Sequence, residues 1–143
     1  MKYILPILVI LTSIIGSLAN IYINSDGWYA ELVKSPLNPP SYVFGIVWPI
    51  LYAIMAFVSF RMAEKISGLF MMQLAANAAW SWMFFYFHAP LIALIDISIL
   101  IFLNHKIIKI LRGESRILFY LYLPYILWLS FAAFLNASIV FLN

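Results

Sequence analysis

The sequence predicts an all-α protein, a single domain built as an integral membrane bundle of five transmembrane helices. Of its 143 residues, 66% are hydrophobic and only 9% are charged, whereas soluble globular chains carry about 25% charged residues. Five apolar stretches are each long enough to cross a hydrocarbon core of about 30 Å. A soluble core of this size does not hold so much apolar surface, so we expect lipid to cover it.

The first predicted span covers residues 3–23, an apolar run that follows Lys2. The alternative is a secretory signal peptide cleaved after Ala19, because the residues before that position are small, as at a cleavage site. The run is longer than the roughly 7–15 residues of a signal-peptide apolar region. We therefore expect an uncleaved helix.

The lid loop, residues 24–41, connects the first and second spans and is called the strap below. The prolines of its SPLNPP segment fix φ near −65° and favour extended backbone in the residues that precede them. We therefore expect a stiff, non-helical segment. It is expected to hold Trp28 and Tyr29 over the space that the helices enclose.

The other four spans are predicted at residues 42–61, 68–87, 91–110 and 117–141. The connection at residues 88–90 is very short, so the third and fourth helices are expected to be antiparallel neighbours. A basic loop is expected between the fourth and fifth helices.

Basic residues divide unequally between the two sides of a five-span protein. The strap side carries only Lys34, and the amino-terminal side carries Lys2, Arg61, Lys65, Lys106, Lys109, Arg112 and Arg116. The positive-inside rule then places the amino terminus inside and the carboxy terminus outside. Cleavage after Ala19 would remove only Lys2, so the charge count does not exclude it.

Polar and aromatic side chains recur at three- and four-residue steps on three of the predicted helices. Amide side chains are costly in lipid unless they face protein or a cavity, so they mark inward faces. The stripes are Phe44, Trp48 and Tyr52 on the second helix, Gln73, Asn77 and Ser81 on the third, and Tyr125, Trp128, Ala132 and Leu135 on the fifth. Their convergence predicts a large aromatic cavity with an amide anchor, suited to a planar apolar ligand.

Structural interpretations of these residues stay open. Aromatic residues at helical spacing are more often core or interfacial residues than ligand contacts. Asn77 fits interhelical hydrogen bonding as well as ligand binding. Asp96 is either a proton or ion site or a residue with access to water near the interface. His88 and His105 lie at predicted helix ends, where a histidine is either solvated or a ligand of haem iron.

Other classes of function lack a supporting pattern. The chain has no cysteine, which excludes disulfides, thiolate metal sites and cysteine nucleophiles. It has no glycine-rich phosphate loop, no metal-ligand spacing and no basic nucleic-acid patch. We expect no metal site, no required cofactor and no nucleic-acid partner.

Three long segments carry a family resemblance: WYAELVKSPLNPPSYVFGIVWPILYAIMA, LAANAAWSWMFF and PYILWLSFAAFLN. In this order, and over nearly the whole chain, the sequence resembles the translocator protein family, the TspO/peripheral benzodiazepine receptor proteins. The resemblance implies a five-helix membrane bundle, usually a homodimer. Such proteins bind porphyrins, among them protoporphyrin IX and haem, and isoquinoline or benzodiazepine-type drugs, in a pocket closed by the first loop. The small residues Ala75 and Ala79 on the third helix suit either a dimer face or internal packing.

The resemblance assigns nine ligand-binding residues by motif, most of them on the stripes described above. They are Tyr29 and Pro39 in the strap, Trp48 and Tyr52 in FGIVWPILY, Asn77 and Trp80 in ANAAW, and Trp128, Ala132 and Leu135 in PYILWLSFAAFLN. Trp80 is the exception, since it lies one residue off the stripe of the third helix.

The carboxy-terminal segment departs from the animal members of the family. Those members are associated with cholesterol through a Leu/Val, Tyr, Lys/Arg pattern, whereas FLNASIVFLN has neither a tyrosine nor a basic residue. The reversed pattern at Arg116, Tyr120 and Leu123 is a weak indicator. We therefore expect a bacterial member, in the cytoplasmic membrane rather than the outer membrane.

Three functions are compatible with these observations. The leading hypothesis is a porphyrin-binding sensor or carrier, in which the ring stacks on Trp48 and Trp128 and Asn77 supplies a hydrogen bond. The second is an enzyme that degrades protoporphyrin with light and oxygen, with the same two tryptophans as candidate catalytic residues. The third is a transporter of porphyrin or sterol, which the lack of an internal repeat disfavours.

Overall fold

The computed structural model describes residues 1–20 and 27–143. Its elements are α1 (Ile4–Asn20), α2 (Trp28–Glu31), α3 (Ser41–Ser81), a π-helix (Trp82–Tyr86), α4 (Pro90–Glu114) and α5 (Arg116–Leu142). These described residues contain no strand. The predicted all-α fold class is confirmed.

Helix α3 contains the second and third spans, because it folds back on itself. Met62, with φ −122° and ψ 20°, interrupts the helical backbone. Tyr52 and Asn77, 25 residues apart, are hydrogen-bonded at 2.9 Å, whereas a straight helix would separate them by about 37 Å. The two halves are therefore antiparallel. We call them the first arm, residues 41–61, and the second arm, residues 63–81.

The connections between spans are shorter than the sequence predicted. Met62 alone replaces the expected connection at residues 62–67, where alanine, glutamate and lysine favour helix. Ser115 alone replaces the expected basic loop, and its hydroxyl accepts a hydrogen bond from the Leu118 N–H at 3.4 Å as the cap of α5. Helix α4 continues beyond its apolar stretch into the residues that were expected to form this loop. It can do so because long basic side chains reach water from the end of a helix.

A π-helix that the periodicity did not predict follows the second arm. The Trp82 indole donates a hydrogen bond to the Ile15 carbonyl at 2.9 Å and thereby joins this segment to α1. The chain then reverses at His88, whose φ of 52° is left-handed, and Pro90 begins α4.

Helix α1 and the strap are described only in part. The structure gives α1 as Ile4–Asn20, and residues 21–26, which include the end of the predicted first span and the start of the strap, lie outside the described residues. The four-residue helix α2 was not predicted. Residues 32–40 are non-helical, in agreement with the expectation from the prolines.

Within the part of the chain that the structure describes, length and composition identify three helical segments able to cross a membrane: Ser41–Tyr86, Pro90–Glu114 and Arg116–Leu142. The first contains the two arms, and α1 is a shorter apolar helix. Large apolar side chains such as Ile14 and Phe102 are exposed, while Gln73, Asn77 and Asn104 are buried. This pattern of apolar exterior and polar interior fits an integral membrane bundle.

Candidate ligand-binding cavity

A cavity of about 1020 Å³ lies at the strap end of the bundle. Its volume is at the upper limit of the range of about 300–1,000 Å³ typical of small-molecule sites. All nine residues that the family resemblance assigned line it. They are Tyr29 and Pro39 from the strap, Trp48 and Tyr52 from the first arm, Asn77 and Trp80 from the second arm, and Trp128, Ala132 and Leu135 from α5.

Neighbouring rings support two of the cavity tryptophans. Trp48 lies beside Tyr52, with ring centroids 5.6 Å apart and planes tilted by 32°. Trp128 meets Phe44 edge to face, with centroids 5.6 Å apart. Such contacts favour defined ring orientations, so the walls present fixed aromatic surfaces.

The third tryptophan is oriented by a hydrogen bond. The Nε1–H of Trp80 donates to Asn136 Oδ1 at 2.9 Å, and Asn136 Nδ2 donates to the Pro90 carbonyl at 2.9 Å. Asn136 also lines the cavity and joins α5 to the start of α4. The predicted stripes did not include Asn136. Its position four residues after Ala132 in an apolar helix could have indicated an inward-facing amide.

Asn77 takes part in interhelical bonding and also lines the cavity. The Tyr52 hydroxyl donates to Asn77 Oδ1 at 2.9 Å, and Asn77 Nδ2 donates to the Tyr125 hydroxyl at 2.8 Å. A carboxamide has two N–H donors and two acceptor lone pairs. One donor and one lone pair therefore remain beyond these two bonds.

Gln73 and Tyr125 lie deeper than the stripes suggested. Both are fully buried and neither is among the residues that line the cavity. The Tyr125 hydroxyl donates to Gln73 Oε1 at 2.7 Å, and Asn104 Nδ2 donates to the same oxygen at 3.1 Å. Tyr122 in turn donates to Asn104 Oδ1. This buried network joins the second arm, α4 and α5 on the Met62 side of the cavity.

Helix α1 supplies a wall that the stripes did not include. Ser13, Gly16, Ser17 and Asn20 line the cavity. A Cβ atom at Gly16 would lie 3.8 Å from the Tyr52 hydroxyl oxygen, so α1 lies close to the first arm. Small and polar residues recur at three- and four-residue steps in α1, as they do in the second arm. This spacing could have predicted that α1 also turns a face toward the cavity.

Of the two strap aromatics expected to cover the cavity, only Tyr29 lines it. Trp28 instead stacks on His88, with centroids 4.3 Å apart and planes 8° from parallel. It also meets Phe84 edge to face. Trp28 therefore attaches the strap to the turn before α4, which corrects the expectation that it faces the ligand space.

A second attachment joins the strap to the end of α5. The Val33 N–H donates to Asn143 Oδ1 at 3.1 Å, and Asn143 Nδ2 donates to the Val33 carbonyl at 2.9 Å. Two bonds to one backbone residue hold this part of the strap in a defined position.

Tyr29 and Lys34 determine the electrostatics of the strap wall. Burial raises the pKa of the Tyr29 phenol, and a hydrogen bond with the Asn38 side chain partly opposes that rise. Partial burial lowers the pKa of the Lys34 ammonium. Among the described residues that line the cavity, Lys34 is the only charged one.

Several other candidate residues lie away from the cavity. His88, His105 and Asp96 do not line it, and Asp96 Oδ2 has no hydrogen-bond partner among the described residues. Ala75 is exposed and Ala79 half-buried on the second arm. A dimer face at these two alanines stays a prediction.

Comparison with known proteins gives a consistent result. The model of the TspO/MBR family matches residues 4–142. "Tryptophan-rich protein TspO" of Chlorobaculum tepidum is 36% identical over 126 residues, which are 81% of this chain and 79% of the relative. The protein of the same name from Archaeoglobus fulgidus is 35% identical over 81% of this chain and 80% of its own length.

An animal protein is also similar to the chain. "Translocator protein" of Ovis aries is 32% identical over 133 residues, which are 85% of this chain and 79% of the relative. The family match extends from the beginning of α1 to the end of α5. The chain therefore belongs to the TspO/MBR family of membrane proteins.

Proposed function

We propose that the protein binds a planar, largely apolar ring system of the porphyrin type in the cavity and acts as a sensor or carrier of that ligand. One observation carries the proposal: Trp48, Trp80 and Trp128, from three separate helical segments, line a single cavity of about 1020 Å³. Flat aromatic walls suit a flat aromatic ligand.

The binding energy in this proposal comes mainly from apolar surface. Burial contributes about 25 cal/mol per Å² of apolar area, and each aromatic contact adds about 0.5–1.5 kcal/mol. The remaining N–H of Asn77 supplies one donor for a polar edge of the ring. Specificity for a planar ligand then rests on the spacing of the tryptophan walls.

The first test measures the affinity for protoporphyrin IX in the dark, from the porphyrin Soret band, for the wild type and Trp128→Ala. Loss of one aromatic wall is expected to raise the Kd at least about tenfold with the helical content unchanged. Leu127→Ala is the matched control, because Leu127 is next in sequence and 67% exposed on the outer face. Equal affinities of Trp128→Ala and Leu127→Ala would contradict the site.

A parallel illuminated sample under oxygen separates binding from light-dependent degradation. Trp48 and Trp128 both line the cavity, so both lie where a photo-oxidised ring would react. A defined product that is absent with Trp48→Phe would favour the enzyme. Bleaching at the same rate in both proteins favours binding alone.

We also propose that the amino terminus faces the cytoplasm of a bacterium and that the cavity opens toward the opposite side. Support comes from the basic residues Lys106, Lys109 and Arg112, which lie in the last turns of α4, while the strap lies at the other end of the bundle. The positive-inside rule assigns the basic end to the cytoplasm.

A further inference from the structure

The strap wall of the cavity carries one positive charge, that of Lys34. Among the lining residues that the structure describes, every other side chain is aromatic, aliphatic or neutral and polar. A ligand in this cavity therefore meets uncharged walls and a single cation on the strap side.

The strap itself positions the Lys34 ammonium. Its Nζ donates to the Leu32 carbonyl at 3.2 Å and lies 4.5 Å from the centroid of the Tyr29 ring. An ammonium has three N–H donors, so the Leu32 bond uses one of them. Because Tyr29 also lines the cavity, the cation is held beside the ligand space.

This cation has no ion-pair partner within residues 1–20 and 27–143. The ion pair recorded there joins Lys65 and Glu114, at 3.8 Å. Partial burial lowers the pKa of Lys34 because it removes water from the ammonium. An anion beside Nζ would reverse that effect through a charge-assisted hydrogen bond. The Tyr29 phenol, whose pKa burial raises, stays neutral and supplies no such anion.

We propose that Lys34 selects ligands with an anionic edge, so that the ring bound in this cavity carries a carboxylate that pairs with Lys34 Nζ. The inference rests on the proposed function, because it assigns a charge to the ring ligand of the same cavity. Its chemical class is a planar apolar ring with one or more carboxylates on its rim. Lys34 is then a specificity-determining residue, and the tryptophan walls supply most of the affinity.

The test compares protoporphyrin IX with its dimethyl ester, which has the same ring without the two carboxylates. Dark titrations give the Kd of both compounds for the wild type, Lys34→Met, Lys34→Arg and Lys109→Met. All samples contain the same detergent at the same concentration, so each compound partitions into the detergent to the same extent with every protein. The change in the ratio of the two Kd values between proteins therefore isolates the contribution of the side chain.

We expect the preference for the diacid over the diester to fall about fivefold in Lys34→Met, as for a partly exposed charge pair. Lys34→Arg keeps the charge and is expected to keep the preference. Lys109→Met is the control for general electrostatic attraction, because Lys109 is exposed near the far end of α4, and it is also expected to keep the preference.

The two possible failures give different results. If Lys34→Met and the wild type show the same diacid-to-diester ratio while both compounds bind, the role of Lys34 is overturned and the cavity proposal stands. If neither compound binds the wild type saturably, the proposed function is overturned together with the inference.

Discussion

The position of Asn77 is compatible with both of the roles that the sequence left as alternatives, interhelical bonding and ligand contact. It lines the cavity and also joins the first arm to α5 through Tyr52 and Tyr125. In a membrane protein a buried carboxamide without hydrogen-bond partners is costly. The bonds to neighbouring helices remove that cost and allow the carboxamide to lie at a cavity wall. The interhelical contact therefore does not prevent Asn77 from offering a polar group to the cavity.

The network predicts that Tyr125 contributes to stability. Tyr125→Phe removes the donor to Gln73 and the acceptor for Asn77, which leaves both amides short of a partner. We expect a loss of about 1–2 kcal/mol in the free energy of unfolding, measured by thermal or denaturant unfolding in detergent. Tyr120→Phe is the control, because Tyr120 is on the same helix and 65% exposed. Equal stabilities of the two variants would show that the network is energetically unimportant.

Periodicity predicts the face on which a residue lies, but not its depth along the helix. Gln73 and Asn77 share one face, yet Asn77 lines the cavity and Gln73, one turn closer to Met62, is packed in the network. The same limit applies to Trp28 and Tyr29, which are adjacent in the strap but contact different surroundings. The depth of a residue depends on how helices of different length and tilt pack together. The periodicity of a single helix contains no information about that packing.

At the scale of elements, the strap is attached at two described points. Trp28 stacks on His88 near the start of α4, and Val33 is bonded to Asn143 at the end of α5. Between and beside these points lie Tyr29 and Lys34, which contact each other and line the cavity. The strap wall is therefore positioned by α4 and α5.

This arrangement predicts that Asn143 slows ligand release. Asn143→Ala removes both bonds to Val33 and is expected to raise the dissociation rate of protoporphyrin IX about threefold, as for exposed hydrogen bonds of modest net strength. Stopped-flow displacement measures that rate. Ser130→Ala serves as control, since Ser130 is exposed on α5 and its hydroxyl donates to the Ile126 carbonyl of the same helix. An unchanged rate in Asn143→Ala would mean that release does not require movement of this part of the strap.

Hydropathy predicts the apolar part of α4 but not the residue at which the helix ends. Helix α4 continues to Glu114, four residues beyond the predicted end, because hydropathy falls where charged residues begin although the backbone stays helical. The reversal at Met62 has no proline or glycine to mark it, and Gly68, the predicted start of the third span, lies inside the second arm. Tertiary packing of the two arms determines where the chain turns.

Over the whole molecule, most of the positive charges lie at the end opposite the cavity, and Lys34 in the strap is the exception. Lys65 and Glu114 form an ion pair between the reversal of α3 at Met62 and the end of α4, where Arg61, Lys109 and Arg112 are also exposed. The strap end carries the cavity. This separation makes the orientation in the membrane directly measurable.

The chain has no cysteine, so single introduced cysteines report on the side of the membrane. We expect Leu37→Cys in the strap to react with a membrane-impermeant maleimide in spheroplasts, and Lys109→Cys to react only after permeabilisation. Both positions are exposed, so differences in labelling reflect sidedness rather than burial. The reverse pattern would place the strap and the cavity toward the cytoplasm.

In the proposed complex, a flat ring lies in the cavity bounded by Trp48, Asn77 and Trp128. The most direct measurement is a crystal structure with zinc protoporphyrin IX, in which the anomalous signal of zinc marks the centre of the ring. We predict an anomalous peak inside the cavity, with the ring between Trp48 and Trp128 and its carboxylates toward Lys34. A peak on the outer, lipid-facing surface with the cavity unoccupied would show that the ring does not bind between the tryptophans.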